Sequence, residues 1–340
     1  MKTVLAPESL EIAGQRFTLR DTMPEDRAGV LALHHQVFGS AVDERWFDWK
    51  YVAGRGEGVG LWSGARLVAF CGGTPRQVLC QGDCARFLQI GDVMVSPEWR
   101  GVFTRKSPFY YVSERFYRSR LGQEGDFLAG FGFPNQRHLR LAVKSGLSHD
   151  AGEVGGMQWL LNRPTPWTWS DLLWRSEALD PHSLSFDSVV DRCWERMRPN
   201  CTDGWTGVRD AEYVRWRFID RPDKSYRFLA LRRPWKREPE GIAVLAQPVA
   251  AAEALPWLDW VGPRDLLFQA WTMGMRQAHS DGYTGLTTWA SPAVAHWLAA
   301  TRPALVGTVA GVGVPTASAF AASEVASANA WWTGGDTDFL

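Results

Sequence analysis

The sequence lacks several features that would assign it at once to a class of protein. No apolar run approaches the roughly 20 residues of a membrane-spanning helix. The N-terminal stretch carries Glu8 and Glu11 and has no apolar segment of a cleavable signal. Lys+Arg and Asp+Glu both number 37, so the formal net charge is zero. We therefore expect no membrane insertion and no bulk nucleic-acid binding, although one local basic site stays compatible with this balance.

Cysteine is also scarce. The chain has five cysteines, an odd number, and contains neither a C-x-x-C motif nor a histidine cluster beside them. Cys80 and Cys84 flank Gln81-Gly82-Asp83, a sequence typical of a hairpin turn and not of a zinc knuckle. These observations predict a cytoplasmic protein without a structural metal site.

The sequence contains enough apolar residues for a folded protein. Of the 340 residues, 45% are hydrophobic and 22% are charged, which excludes a disordered chain. At roughly 100–200 residues per domain, this length predicts about two domains. The unusual number is 19 tryptophans, which belong either to the cores or to a ligand cleft.

The first half of the chain predicts the element order β-α-α-β-β-β-α-β-α. Acidic residues after Asp21 and at Asp43 start the first two helices, and Gly146 ends the last. The predicted strands are 16–20, 58–62, 67–72, 84–95 and 127–131. This order is typical of an α/β (α+β) fold in which two strands lie parallel or splayed between helices.

The second half repeats features of the first. The pattern Asp43-x-x-Trp46-x-x-Trp49-Lys50-Tyr51 recurs 167 residues later, from Asp210 to Phe218, and Val95-Ser-Pro97 recurs as Val261-Gly-Pro263 after 166 residues. We expect helices at 170–178, 185–197, 266–277 and 292–300 and a strand at 285–289. The nearly constant offset predicts a duplicated domain. The expected boundaries are 1–160, a connector at 161–182, and 183–340.

The strongest local signal for chemistry follows the long predicted strand. That strand ends at Val95, a basic, glycine-containing turn follows, and a helix begins after Lys106. Free backbone N–H groups at a helix start, beside Arg and Lys side chains, suit a pyrophosphate. The alternative is an ordinary turn with a solvated basic patch.

With the element order, two motifs make residues 16–150 similar to the GNAT superfamily of acyl-CoA-dependent acyltransferases: Val95-x-Pro97-x-x-Arg100-Gly101 and Gly132-Phe-Pro-Asn135. Residues 183–340 resemble a degenerate second copy. The resemblance implies two tandem GNAT-like domains, each a mixed, splayed sheet flanked by helices. It also implies a GNAT-type N-acetyltransferase that uses acetyl-CoA or another acyl-CoA. A narrower similarity is to two-domain bacterial members.

The resemblance also assigns cofactor-binding residues. In the family the thioester arm lies between the splayed strands, so backbone groups of Met94 and Val95 would pair with the pantetheine, and Asn135 would contact the arm. The turn that would hold the pyrophosphate comprises Arg100, Gly101, Val102, Phe103, Thr104, Arg105 and Lys106. Phe103 and Arg105 stand where the family has glycine or alanine, and the charges of Arg105 and Lys106 would compensate.

Acyl transfer to an amine also needs a base, an oriented acceptor and a proton for the departing thiolate. Asp92 is the predicted base, with Glu114, His34 and His35 as alternatives; Asp92 could equally be a structural carboxylate. Ala142 stands where the family often has the Tyr that protonates the thiolate, so solvent would supply this proton.

The second helix lines the acceptor side in the family. Trp46 and Trp49 are therefore predicted acceptor-binding residues, with core packing as the alternative. His34 of the first helix is a further predicted acceptor-binding residue. The second copy has Asp265 and no glycine after Pro263, so we expect it not to bind the pyrophosphate.

Three functions are compatible with this sequence. The first is acyl transfer to the primary amine of a small molecule, with an amino sugar among the candidates, by a monomer or homodimer. The second is a non-catalytic acyl-CoA-binding or scaffold protein, suggested by the atypical turn and by Ala142. The third is an aminoacyl-tRNA-dependent transferase, which the zero net charge and the lack of a basic helical arm disfavour.

Overall fold

The computed structural model describes residues 6–39, 42–52, 55–101, 106–123, 125–161, 172–247, 254–320 and 330–337. The chain forms two compact units. The first unit is Met1–Arg76, Ala85–Asp150 and Val312–Ser323; the second is Gln77–Cys84, Ala151–Gly311 and Glu324–Leu340. Two sheets of mixed strands flanked by helices confirm the predicted α/β fold class.

The first sheet follows the predicted order with one extra strand at its edge. Its strands are β1 (Glu8–Ile12), β2 (Gln15–Asp21), β3 (Glu57–Ser63), β4 (Arg66–Cys80), β5 (Asp83–Val95) and β6 (Ala129–Phe131). The helices are α1 (Arg27–Phe38), α2 (Glu44–Tyr51), α3 (Pro108–Arg118) and α4 (Gln136–Lys144). In the described residues the strands are ordered β1-β2-β3-β4-β5-β6, and β5 and β6 run parallel. A seventh strand, β9 (Trp205–Gly207), pairs antiparallel with the end of β4 at 78–80.

Local sequence explains most of these boundaries. The side chain of Asp43 accepts a hydrogen bond from Trp46 N at 3.0 Å and caps α2. Gly39, with φ of 70°, ends α1 in the left-handed conformation. Gln81 and Gly82, with φ of 52° and 91°, make the predicted turn between β4 and β5.

The core of the first unit lies between one face of its sheet and α3. On β2 the burial alternates, so that Phe17 and Leu19 point inward while Thr18 between them is exposed. Val112 and Phe116 of α3 are both fully buried against these strands. Alternation in the strand and four-residue spacing in the helix thus bring the two apolar faces together.

The second unit repeats this order of elements. Its strands are β7 (Ser148–Leu160, of which 151–160 belong here), β8 (Arg175–Leu179), β9 (Trp205–Gly207), β10 (Tyr226–Arg232), β11 (Gly241–Ala246), β12 (Ala254–Val261), β13 (Gly285–Ala290) and β14 (Leu305–Pro315, of which 305–311 belong here). The helices are α5 (Phe186–Met197), α6 (Ala211–Val214, continued by a π-helical turn at Arg215–Ile219), α7 (Leu267–Ser280) and α8 (Pro292–Leu298). The second sheet has the order β14-β7-β13-β12-β11-β10-β8 in the described residues.

Three features of the units correspond closely. The run β2-α1-α2-β3-β4-β5-α3-β6-α4 has the counterpart β8-α5-α6-β10-β11-β12-α7-β13-α8. The parallel pair β5–β6 has the counterpart β12–β13, which is also parallel. Asp210 caps α6 by accepting from Tyr213 N at 2.9 Å, as Asp43 caps α2.

One predicted helix is wrong. In the described part of 170–178, residues from Arg175 onward belong to β8, which pairs antiparallel with β10 from Arg232↔Arg175 to Phe228↔Leu179. The segment contains Glu, Ala and Leu, which favour helices. Hydrogen bonding to a neighbouring strand, which local propensity does not report, overrides that preference.

The tryptophans are mostly core residues. In the second unit the ring of Trp271 stacks between Trp159 and Trp257, with centroid distances of 4.3 and 4.9 Å. Among the tryptophans that the structure describes, Trp235 and Trp297 are exposed, at 64% and 40%, and Trp99 and Trp289 are half-buried. Burial in the cores accounts for most of the tryptophans in the described residues and says nothing about the substrate.

Candidate active site

The candidate site of the first unit begins where β5 and β6 separate. Their parallel ladder runs from Phe87↔Ala129 to Gln89↔Phe131. There β6 ends, and Gly132 exchanges two backbone hydrogen bonds of 3.0 Å with Gly313, while β5 continues to Val95. A Cβ on Gly132 would lie 3.1 Å from Ile90 O, so a glycine allows the close approach before the strands part. We call this opening, flanked by 90–95 and 132–135, the first splay.

Asp92 lies on β5 beside the first splay in an unusual conformation. Its φ is 50°, which is uncommon for a residue other than glycine but better tolerated by Asp and Asn than by most. Asp92 Oδ2 accepts a hydrogen bond from Tyr51 Oη at 2.6 Å and forms an ion pair with Lys50 Nζ at 2.5 Å. The side chains of Lys50 and Asp92 are 3% and 5% exposed. The carboxylate identified from sequence is therefore buried and paired.

Neither partner of Asp92 was assigned a role from sequence. Both lie in the repeated motif that starts at Asp43, which was the available signal. The neighbouring strand β4 also carries a Gly72-Gly73 pair, and a Cβ on Gly72 would lie 2.5 Å from Tyr51 Oη. Glycine in a strand interior often marks such a close approach. The pair makes room for the tyrosine hydroxyl beside Asp92.

The turn after β5 carries the predicted pyrophosphate residues. Arg100 is exposed and its Nε donates to Val95 O at 2.9 Å, which folds the guanidinium over the end of the strand. Gly101 has φ of 82°, and a Cβ there would meet no atom within 4 Å. Val102, Phe103, Thr104 and Arg105 lie outside the described residues. The exposed Lys106 has its Nζ 5.1 Å from the Tyr110 ring.

The start of α4 is within reach of the positive charge of this turn. Asn135 is exposed and caps α4, its Oδ1 accepting from His138 N at 3.0 Å. Burial lowers the pKa of His138, and the positive charges of Arg137 and Arg100 lower it further. Arg100 is thus close enough to the start of α4 to act on its histidine. Met94 is fully buried and Val95 is half-buried at the end of β5.

The predicted acceptor residues are in the interior. Trp46, Trp49 and His34 are 4%, 9% and 7% exposed, and the His34 ring lies 4.9 Å from that of Trp46. This burial favours the core-packing alternative for the tryptophans. Of the other candidate bases, His35 is exposed and Glu114 forms an ion pair with Arg118 at 3.0 Å on α3.

Other chemistry in the described residues is restricted. Burial raises the pKa of Cys71 to about 12, so this thiol stays protonated at neutral pH and is a poor nucleophile. The five cysteines are free. No group of three His, Cys, Asp or Glu side chains within the described ranges is placed to hold a metal ion. In that same part of the chain, no helix is both long and apolar enough to cross a membrane.

Comparison with known proteins agrees with this geometry. Residues 18–106, from β2 to the turn after β5, match the family model of the acetyltransferase (GNAT) domain. Nothing matches among the curated proteins. A solved structure from Enterococcus faecalis V583, a conserved protein of unknown function and probable N-acyltransferase, is similar at a TM-score of 0.66 and 13% identity, covering 89% of this chain and 73% of that one.

Two further solved structures are similar in fold. A GCN5-related N-acetyltransferase from Anabaena variabilis ATCC 29413 aligns at a TM-score of 0.65 and 14% identity over 88% of this chain and 72% of that chain. A GCN5-related N-acetyltransferase from Kribbella flavida aligns at 0.60 and 14% identity over 88% and 70%. At these identities the likeness establishes the fold, and the likeness extends over most of the chain.

Proposed function

We propose that the chain is a GNAT-type N-acetyltransferase, as the match of residues 18–106 to the acetyltransferase (GNAT) domain supports, and that it transfers an acetyl or other short acyl group from acyl-CoA to a primary amine of a small molecule. An amino sugar is among the acceptors that we propose. The observation that carries this function is the first splay, with Asp92 on one side and Arg100 and Asn135 at its end. We further propose that the protein acts in the cytoplasm as a monomer or homodimer.

The residues present fit an acyl-CoA. Beyond Gln89 the described β5 backbone has no ladder partner on β6, so its peptide groups face the opening. Arg100 and Arg137 supply positive charge near the start of α4, at the end of the opening. Met94, Val95 and Asn135 would hold the arm, and Arg100 to Lys106 would hold the pyrophosphate. Bound acyl-CoA supplies the activated thioester.

The chain's own groups would then orient the amine and take its proton. Both described contacts of Asp92 use Oδ2, so we assign the other carboxylate oxygen to the amine. Lys50 and Tyr51 hold the carboxylate in place, which is how a positioned base gains its advantage. Backbone N–H groups near Val95 would stabilise the oxyanion. Ala142 offers no proton for the thiolate, so solvent supplies it.

Titration calorimetry with acetyl-CoA, followed by thiol release across a panel of amines, tests this function. Arg100→Glu should abolish binding of acetyl-CoA, whereas Arg16→Glu, a change of an exposed arginine on β2, should leave it unchanged. Undiminished affinity in Arg100→Glu would move the pyrophosphate elsewhere. Wild-type protein that binds no acetyl-CoA would refute the proposal.

A second candidate is a non-catalytic acyl-CoA-binding protein. Ala142 in place of a proton donor, and the engagement of Asp92 by a lysine, favour it. Binding of acetyl-CoA without thiol release for any amine in the panel would support this alternative over catalysis.

A further inference from the structure

The second unit contains an opening equivalent to the first splay. The parallel ladder of β12 and β13 runs from Ala254↔Gly285 to Trp257↔Thr288, after which β12 continues to Val261 and β13 to Ala290. We call the opening flanked by 258–261 and 289–291 the second splay. The chain's own segment 330–337 lies in it, since its short 3-10 turn Gly334–Asp336 packs against both strands.

Backbone groups hold this segment along the β13 side. Thr333 forms an antiparallel bridge with Ala290. Ser291 N donates to Trp332 O at 2.9 Å, and Ser291 Oγ accepts from Trp332 N at 3.1 Å. Ser291 precedes α8 as Asn135 precedes α4. The segment therefore bonds to the residue whose counterpart in the first unit is expected to contact the cofactor arm.

A buried ionic cluster holds the other side. Arg209 lies between Asp336, at 2.5 Å, and Asp259, at 2.9 Å, and the side chains of Arg209 and Asp336 are both 0% exposed. Thr333 Oγ1 donates to Asp259 Oδ1 at 2.9 Å. Asp259 follows Asp92 by 167 residues, the offset of the repeated motif. The carboxylate equivalent to Asp92 is thus engaged by the segment itself.

Two positions of the repeated motif also bind the segment. Tyr213 Oη donates to Gly335 O at 2.8 Å, and Arg217 Nη2 donates to Thr337 O at 2.5 Å. Their counterparts in the first unit are Trp46 and Lys50. A Cβ on Gly335 would lie 2.5 Å from Asp259 Oδ2, so only glycine fits there. Contacts of this number and burial describe a built binding site, and its ligand is a peptide that pairs with β13 and then makes a 3-10 turn carrying one carboxylate.

We propose that the second splay is a peptide groove, filled by residues 330–337 of the same chain where a GNAT domain would hold the acyl-CoA arm. The segment supplies the Trp332 carbonyl to Ser291 N, just after β13, and a carboxylate to Arg209. The second unit consequently takes no acyl-CoA, and each chain has one cofactor site, in the first unit. The statement about cofactor stoichiometry rests on the proposed function; the peptide groove does not.

Hydrogen exchange of the full-length chain, read by mass spectrometry, tests the groove. In wild type the amides of 331–333 and 336 should be strongly protected. Gly335→Ala should speed their exchange about tenfold or more, because the methyl would overlap the Asp259 carboxylate. Gly307→Ala is the matched control, since a Cβ there meets nothing within 4 Å. Rapid exchange in wild type, or equal exchange in the two variants, would overturn the groove.

If Gly335→Ala fails to fold, the isosteric Asp336→Asn is measured in its place. Hydrogen exchange in the segment should again be faster, because the contact to Arg209 is weakened. Acetyl-CoA titration then tests the stoichiometry. One mole should bind per chain, and none in Arg100→Glu. Binding of two moles of acetyl-CoA per wild-type chain would overturn the inference. Binding of one mole to Arg100→Glu, together with faster exchange of 331–336 in that complex, would also overturn it. Wild type that binds none would refute the proposed function, while exchange alone would still decide the groove.

Discussion

Replacing either Lys50 or Asp92 of the buried pair should destabilise the first unit strongly. Replacing both should lower the free energy of unfolding by less than the sum of the two single changes. At 2.5 Å, the gross attraction is about 7 kcal/mol for an effective dielectric constant of about 20. Desolvation of the two ions offsets most of this attraction. The pair as a whole therefore contributes little net stability, while one charge without the other is expensive.

The expected values follow from that asymmetry. Lys50→Met should lower the free energy of unfolding of the first unit by about 3–5 kcal/mol, because it leaves the buried Asp92 carboxylate with only the Tyr51 hydroxyl described as a partner. Asp92→Asn should also be destabilising. The double variant should recover part of the loss, with a coupling energy of about 2 kcal/mol.

The assay has to resolve the first unit, because a chain of two compact units need not unfold in one step. Hydrogen exchange of peptides from β2 and β5 gives the opening free energy of that unit. The pair Arg27–Asp48, with side chains 35% and 50% exposed, is the matched control, and its coupling should be about 0.2–1 kcal/mol. Strictly additive costs for Lys50 and Asp92 would refute the buried-pair account.

The kcat of the same variants tests whether Asp92 is a base. If Asp92 is the base, Asp92→Asn should lower kcat by about 10²–10⁴-fold with little change in acetyl-CoA affinity. If Asp92 only orders the splay, Asp92→Asn and Lys50→Met should reduce activity in proportion to their loss of folded protein. Full kcat in folded Asp92→Asn would eliminate the base assignment.

Three further predictions concern separate groups. A thiol reagent at pH 8 should label the exposed Cys84 and leave Cys71 unlabelled, since burial raises the pKa of Cys71 to about 12; peptide mass spectrometry checks this, and equal labelling would contradict it. The pKa of His138 in the folded state should lie below its ordinary value of 6.5. The contribution of neutral His138 to stability is therefore complete above pH 6.5 and is lost as the pH falls through the lowered pKa. An NMR titration of His138 with a midpoint above 6.5 would contradict this direction. Arg209→Met should destabilise the second unit by about 3–5 kcal/mol, because two buried carboxylates would lose their cation; exchange of β12 peptides measures it, and a neutral effect would argue against the cluster.

The sequence predicts those elements whose ends are set locally. Asp43, Asn135 and Gly82 act within a few residues of their own position, by capping a helix or making a turn. The strand β1 and the edge strand β8 were missed because their hydrogen bonds go to another strand and their sequences are not rich in β-branched residues. Pairing partners, not local propensity, determine such edge strands.

The candidate site shows the same division. Asp92 stands out in sequence because a carboxylate in a long apolar strand needs a partner. Its partner Tyr51 is 41 residues away, so the hydrogen bond cannot be read from spacing along the chain. The filling of the second splay joins Arg209 to Asp336 across 127 residues. Contacts of this range depend on the completed fold.

A cation opposite the strand aspartate is common to both units, but it reaches the aspartate in different ways. Lys50 approaches Asp92 from the last turn of α2, whereas Arg209 approaches Asp259 from just before α6, the counterpart of α2. Both aspartates also lie at irregular points of their strands: Asp92 has φ of 50°, and the β11–β12 register shifts next to Asp259. Under the proposal that residues 330–337 fill the second splay, the second unit needs no base, yet Asp259 is paired with Arg209. A paired aspartate is therefore common to both units, and any role of Asp92 as a base is added to its pairing with Lys50. This is why the stability cycle and the kcat of Asp92→Asn have to be measured on the same proteins.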